Sequence, residues 1–199
     1  IGGNLAENSG GLRCVKYGVT RDYVLGLTVV LADGAVIQTG GKNVKDVMGY
    51  DLTRLFVGSE GTLGIITEAI LRLIPLPAPK LTMLAFFSTV RDAGRAVALM
   101  TRSLRPATLE LMDQETIQSV DAHLRLGLDQ DAGAMLMIES DAGGQAAEAE
   151  MAAAEAACLA SGARSVIRAN DPTEADWLRE ARRKAHWSLE QAGVARMED

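Results

Sequence analysis

GSEGTLGIITEAILRLIPLP, residues 58–77, holds three kinds of chain in succession. Gly58, Gly61 and Gly64, with Ser59 and Thr62 between them, open it as a loop whose backbone a second group can approach closely, because glycine carries no Cβ. From Ile65 to Ile74 the side chains alternate. Glu68 and Arg72 fall on one face and Ala69, Leu71 and Leu73 on the other, the period of a pleated strand. Pro75, Pro77 and Pro79 then stop the strand, since proline fixes φ and removes a ladder donor, and they read as a stiff, extended linker. The stretch predicts a glycine-rich loop, a strand and a domain boundary, with residues 1–76 on one side and 80–199 on the other.

Upstream, Val24 to Ala32 and Ala35 to Thr39 flank Asp33-Gly34, a strong hairpin signal. Asp51 is placed to cap a short helix through Leu55, closed by Gly58. Before them, Tyr17-Gly18 marks a turn, and IGGNLAENSGG, residues 1–11, carries four glycines, two asparagines and a serine. Such a stretch reads as a loop. Free N–H groups and small polar side chains in loops of this kind can hold phosphate oxygens, as in a dinucleotide pyrophosphate. The same composition also describes a plain turn. Neither glycine-rich stretch has the GxGxxG or GxxxxGK[ST] spacing of the common nucleotide loops.

Downstream of the prolines, strands and helices alternate. LTMLAFFS, ATLELM, AMLMIES and RSVIR read as strands. Val90 to Leu104, Asp113 to about Leu124, Gln145 to Ser161 and Thr173 to Ala192 read as helices. Apart from the helix after residue 113 and the last one, the order is βαββαβ, the ferredoxin-like antiparallel sheet with helices on one face. The fold class is α+β.

Composition narrows the function. A formal charge of −6 with scattered Lys and Arg excludes a general nucleic-acid binder. No apolar run reaches the ~18–20 residues of a membrane span; the longest is broken by Glu68 and Arg72. Cys14 and Cys158 lack CxxC spacing and read as idle thiols of a reducing, cytoplasmic compartment. His123 reads as structural, and two isolated histidines make no metal set, so no metal site is expected within these residues.

IGGNLAENSGGLRCVKYG, VLGLTVVLADG and GYDLTRLFVGSEGTLGIITEAILRLIPLP together resemble the FAD-linked oxidase family, in order and in spacing. The likeness continues through PATLELMD, residues 106–113, into the final helix. Its nearest members in kind are the flavin subunit of glycolate oxidase and the D-lactate and D-2-hydroxyglutarate dehydrogenases. The resemblance implies the second part of a p-cresol methylhydroxylase/vanillyl-alcohol-oxidase-type (PCMH-type) FAD-binding domain, followed by the first part of a substrate or cap domain. It implies FAD held by Gly2, Gly3, Asn4, Asn8, Ser9, Gly10 and Gly11, then Tyr17 and Gly18, and in the second block Glu60, Gly61, Gly64 and Ile65. A flavin suits such a backbone-lined slot, because the protein's part is to orient it.

In DWLREARRKAHW, residues 176–187, Arg179, Arg182 and His186 share one helical face at i, i+3 and i+7. Unplaced, they describe a solvated basic face. In the family a Trp/Leu-x-x-x-Arg pattern on this helix carries the arginine that grips the carboxylate of a 2-hydroxy acid. Leu178 to Arg182 matches it, although Arg179 stands where the family often has an aromatic residue. The resemblance thus implies Arg182 as the carboxylate ligand, with His186 a second candidate. A guanidinium suits a carboxylate bidentately, as lysine does not.

The family's flavin domain begins before IGGN, and its substrate domain continues past MED to a His-x-Gly-Asp-Gly-Asn-x-His stretch that supplies metal or catalytic histidines. The chain therefore reads as an internal section, expected alone to hold FAD weakly and to turn nothing over, with an exposed truncated face that would favour oligomerisation. The expected reaction of the whole is oxidation of glycolate or D-lactate to the 2-oxo acid, with electrons passing to a quinone or partner subunit, and any contact with the inner membrane made through partners. Two alternatives are a flavoenzyme of the same fold with another substrate, and a non-catalytic sensing or docking module.

Overall fold

The proline-rich segment marks the divide between two units of the computed structural model, Ile1–Leu76 and Pro77–Asp199. The structure describes residues 1–193 apart from 44, 170 and 192. Among the described residues no helix is long and apolar enough to cross a membrane.

The first unit opens on a helix, α1 (Gly2–Glu7), where composition predicts a loop. Asn8 ends it in the left-handed region at φ 53°, a conformation asparagine tolerates better than most residues. A single turn, α2 (Cys14–Tyr17), follows. Strands β1 (Val24–Val30) and β2 (Val36–Gly40) form the hairpin around Asp33-Gly34, with Val30 opposite Val36 and Ala35 N–H donating to Asp33 Oδ1 at 2.9 Å. Helix α3 (Leu52–Phe56) starts where Asp51 accepts from Arg54 N–H at 2.9 Å. Strand β3 (Ile65–Leu71) pairs antiparallel with β1 on the side away from β2. Leu5, Val24, Leu27, Val29, Phe56 and Val57 form the core of this unit.

β3 departs from the simple alternation. Thr28 faces Glu68 but Val29 faces Ile66, so Thr67 is an extra residue, a bulge that reverses inside and outside. Ile66 and Ala69 therefore pack on the core together, while Leu73, expected inside, is 89% exposed beyond the end of the strand. Leu71, also expected inside, is exposed at the end of the strand, where it pairs with Val24 next to a second shift at Leu25.

The second unit is built on β4 (Leu81–Phe87), β5 (Thr108–Asp113), β6 (Ala134–Ser140) and β7 (Ala163–Arg168). The strands lie in the order β5-β6-β4-β7, every neighbour antiparallel, the ferredoxin-like order. Helices α4 (Val90–Met100) and α6 (Gly144–Ala160) cover one face, burying Met83, Ala85, Phe87, Leu136 and Ile138 with Met100 and Met151. The other face is covered too. The inserted α5 (Gln114–Leu124) and the final α7 (Pro172–Gln191) enclose Leu84, Phe86, Met112, Met135 and Met137. The two helices outside the βαββαβ order thus make a third layer, where the sequence predicts helices on one face only. The predicted last residue of α7, Ala192, lies outside the described residues. With β4 and β6 central and enclosed on both sides, their sequences are near-continuous apolar runs rather than alternating ones.

Candidate functional site

In the first unit the two glycine-rich blocks are tied together. Gly58 N–H donates to Leu5 C=O and Glu60 N–H to Ala6 C=O, both at 2.9 Å. Asn8 Oδ1 accepts from Arg21 N–H at 2.9 Å, and Ser9 C=O accepts from both the N–H and the hydroxyl of Thr20. Beside this junction lies an open depression of about 450 Å³, lined by residues 9–14 with Gly18, Thr20 and Tyr23. That volume lies in the range of sites for small molecules and cofactors, ~300–1,000 Å³. Cys14 Sγ accepts from Gly11 N–H at 2.9 Å at its rim, and Cys14 and Cys158 are both free thiols.

The glycines fall into two groups. At Gly64 a Cβ would lie 2.7 Å from Val29 Cγ1 and 2.9 Å from the Val30 carbonyl oxygen, so strand packing demands glycine there. Gly18 has φ +80° and lies under the Asp22 carboxylate, which accepts from Val19 N–H. Internal packing accounts for neither Gly2, Gly3 nor Gly11: a Cβ on any of them would meet nothing within 4 Å, and none has positive φ. Gly2 and Gly3 sit in a helix, where each costs about 1 kcal/mol relative to alanine. Residues kept small where the fold leaves room suit the close approach of something outside the chain, and so fit a flavin dinucleotide. Asn4 is exposed, with its carbonyl accepting from Ser9 N–H. Gly10 borders the depression, Tyr17 is half-buried, and Glu60, Gly61 and Ile65 are exposed on the turn into β3. Glu60 takes φ 53°.

In the second unit, α7 lays Arg179 and Arg182 against the sheet. Thr82, Thr108 and Glu139 are cross-strand neighbours, and Glu110 follows two residues along β5 on the same face. Glu139 is 1% exposed and receives hydrogen bonds from Lys80, Thr82 and Thr108 as well as an ion pair from Arg179 at 3.3 Å. Burial pushes the Glu139 carboxyl upward, but the Lys80 and Thr108 hydrogen bonds, the Lys80 charge and Arg179 outweigh it and hold it below the ordinary glutamate range. Arg179 also binds Asp176 at 2.6 Å. Burial works against its charged form, but Asp176 and Glu139 more than offset that and raise its pKa. Arg182 Nε donates to Glu110 Oε2 at 2.7 Å.

The basic face is thus not simply solvated: its two part-buried arginines turn inward onto two carboxylates. His186 is not brought to them. Its side chain is 68% exposed and pairs with Glu190 at 3.2 Å. His123 binds Ser119 C=O at 2.8 Å and meets Trp187 edge-on, joining α5 to α7. Sequence reading missed Glu110 and Glu139. The available signal was a glutamate inside each of two otherwise apolar strands, LELM and LMIES. Among the described residues no group of three His, Cys, Asp or Glu is placed to hold a metal.

Comparison with known proteins agrees with this architecture. Residues 76–199 match the family described as FAD linked oxidases, C-terminal domain, and residues 1–40 the FAD binding domain. The chain is 53% identical over 186 residues to the glycolate oxidase subunit GlcD of Bacillus subtilis, covering 93% of this chain and 40% of that protein. It is 44% identical over 118 residues to a D-lactate dehydrogenase of Archaeoglobus fulgidus, covering 59% of this chain and 27% of that one. The chain thus spans well under half the length of these relatives. Among solved structures, alkyldihydroxyacetonephosphate synthase superposes with a TM-score of 0.65 at 21% identity, over 90% of this chain and 36% of that one. Substrate-bound p-cresol methylhydroxylase gives 0.66 at 17%, over 83% and 38%. Both share the fold.

Proposed function

Because the chain belongs to the FAD-linked oxidases, we propose that it forms part of an FAD-dependent oxidoreductase that converts a small 2-hydroxy acid, of the glycolate or D-lactate type, to the 2-oxo acid. Residues 1–76 are the C-terminal portion of its FAD-binding domain, and residues 80–199 the N-terminal portion of its substrate domain. The observation that carries this reading is the junction of the two glycine-rich blocks beside a depression bordered by Gly11, a glycine that internal packing does not require.

Bound FAD supplies the acceptor for the hydride from the substrate C–H. Ser9, Gly10, Gly11 and Gly18 border the slot with backbone that a flavin dinucleotide can approach closely. The family's first block assigns Gly2, Gly3, Asn4, Asn8 and Tyr17 to the same cofactor, and its second block assigns Glu60, Gly61, Gly64 and Ile65. Arg182 binds the substrate carboxylate, and its planar fork sets the hydroxy acid in one orientation. His186, paired with Glu190, lies further along the same helix and is the weaker candidate. Electrons leave to a quinone or a partner subunit; the names of the Bacillus and Escherichia coli relatives, each a glycolate oxidase subunit, support the latter.

Two substitutions in the full-length protein test this. A Cβ at Gly11 meets nothing within 4 Å, and Gly11→Val is expected to lower FAD retention, read as the flavin absorbance of purified protein, with an unchanged circular dichroism spectrum. Arg182→Ala is expected to raise KM for the hydroxy acid at least about thirtyfold, the loss of one buried charge partner. Full flavin content in the first variant, or an unchanged KM in the second, refutes the corresponding half of the reading.

A further inference from the structure

Arg13 borders the depression of the first unit, and the cofactor reading leaves it unused. It is exposed, and its side chain has no hydrogen-bond or ion-pair partner among the described residues. The lining of the depression holds no carboxylate, although the chain as a whole carries a charge of −6. Asp22, next to Tyr23 in sequence, is already engaged: Val19 N–H donates to one of its oxygens at 2.9 Å and Arg54 pairs with the other at 3.5 Å. A second cation adjoins the lining, since the Arg72 guanidinium stacks on the Tyr23 ring 4.9 Å from its centre. The backbone adds donors. Gly11 N–H and Cys14 N–H are bonded locally, but the N–H groups of Gly10, Leu12 and Arg13 have no acceptor among the described residues.

We infer that this depression seats the phosphate groups of the flavin dinucleotide and that Arg13 is their charged ligand. This rests on the chain holding FAD, as read above. An exposed arginine alone is only a solvated charge. Arg13 differs because it borders a cavity free of carboxylates, on a loop whose neighbouring N–H groups are also unbonded. An unpaired guanidinium with free loop N–H groups is the donor set that takes phosphate oxygens. The carboxylate of a hydroxy acid offers only two oxygens in one plane, fewer than these donors can bond. A diphosphate offers several non-bridging oxygens and a second negative charge. Gly11, where a Cβ would meet nothing within 4 Å, leaves room for it beside Arg13.

The test uses the full-length protein stripped of flavin and titrated with FAD and with riboflavin, which has the same ring but no phosphate, by quenching of flavin fluorescence. Arg13→Gln is expected to raise Kd for FAD at least about tenfold, the loss of one charge-assisted contact, and to leave riboflavin within about twofold. Arg13→Lys keeps the charge without the planar fork and is expected to recover part of the loss. The rise of Kd for FAD with salt should also be shallower in Arg13→Gln. An unchanged Kd for FAD overturns the phosphate seat and leaves the cofactor reading standing; a raised KM for the hydroxy acid alongside it would give Arg13 to the substrate carboxylate instead. Equal weakening of FAD and riboflavin also overturns the seat. A wild-type protein that takes up neither flavin removes the cofactor reading itself. Inorganic pyrophosphate, titrated by calorimetry, then decides the seat alone: binding weakened in Arg13→Gln supports it, and binding that is absent or equal in both proteins overturns it.

Discussion

A carboxylate that is 1% exposed would ordinarily give up its charge, because burial favours the neutral form. Glu139 keeps its charge because two cations and two hydroxyls converge on it from β4, β5, α7 and the residue before β4. Such a cluster adds little over an apolar core of the same shape, but breaking it strands the remaining charges. Glu139→Gln keeps the volume and leaves Lys80 and Arg179 without their shared anion. It is expected to lower unfolding free energy by about 3 kcal/mol, read from the urea midpoint at constant slope. The Arg95–Asp92 pair is the control: it spans 3.1 Å, but the arginine is 65% exposed, and Arg95→Ala is expected to cost under about 0.5 kcal/mol. Equal effects at the two sites would show that burial does not set the strength of these pairs.

Asp113 ends β5 and caps α5, accepting from Thr116 N–H at 2.9 Å. Asp113→Ala is expected to cost about 1 kcal/mol, seen as a lower thermal midpoint, because α5 starts with an N–H left unbonded. This cap was readable because aspartate before a periodic apolar stretch has a local cause. β4 and β6 were readable because burial on both faces leaves an unbroken apolar run. α1 was not: Gly2 and Gly3 have the poorest propensity short of proline, and the helix is held by bonds to residues 58 and 60, far along the chain. The inward face of β3 was misread because the bulge at Thr67 arises from pairing with β1, which no period within β3 encodes. The covering of the second sheet face follows from where α7 returns, and the clusters on Glu139 and Glu110 join segments up to 97 residues apart. The glycine-rich blocks are visible as ligand-holding chemistry, yet which glycines serve packing and which leave room depends on neighbours distant in sequence, such as Val29 beside Gly64.

At the scale of the whole molecule these groups shape stability against pH. Glu139 titrates below its ordinary value of 4.5 in the folded chain, so on the acid side the unfolded chain binds more protons. Stability from Glu139 is therefore full above the ordinary glutamate range and is lost as pH falls through its lowered folded value. Asp176, hydrogen-bonded by Arg179, is shifted in the same direction. Cys158 acts oppositely. Burial, assisted by the Glu155 charge, pushes its thiol from 9.0 to about 11. Between those values the folded chain holds a proton that the unfolded chain has released, so its contribution is full below pH 9 and declines as pH rises toward 11, by on the order of 2 kcal/mol. The expected curve is a dome whose two limbs belong to different residues. Urea midpoints measured from pH 3 to 11 should show Glu139→Gln flattening the acid limb alone. Cys158→Ala should lower the whole curve, since it leaves a cavity beside Met151, yet flatten the alkaline limb. An alkaline limb that keeps its slope in Cys158→Ala would remove the buried thiol from the account.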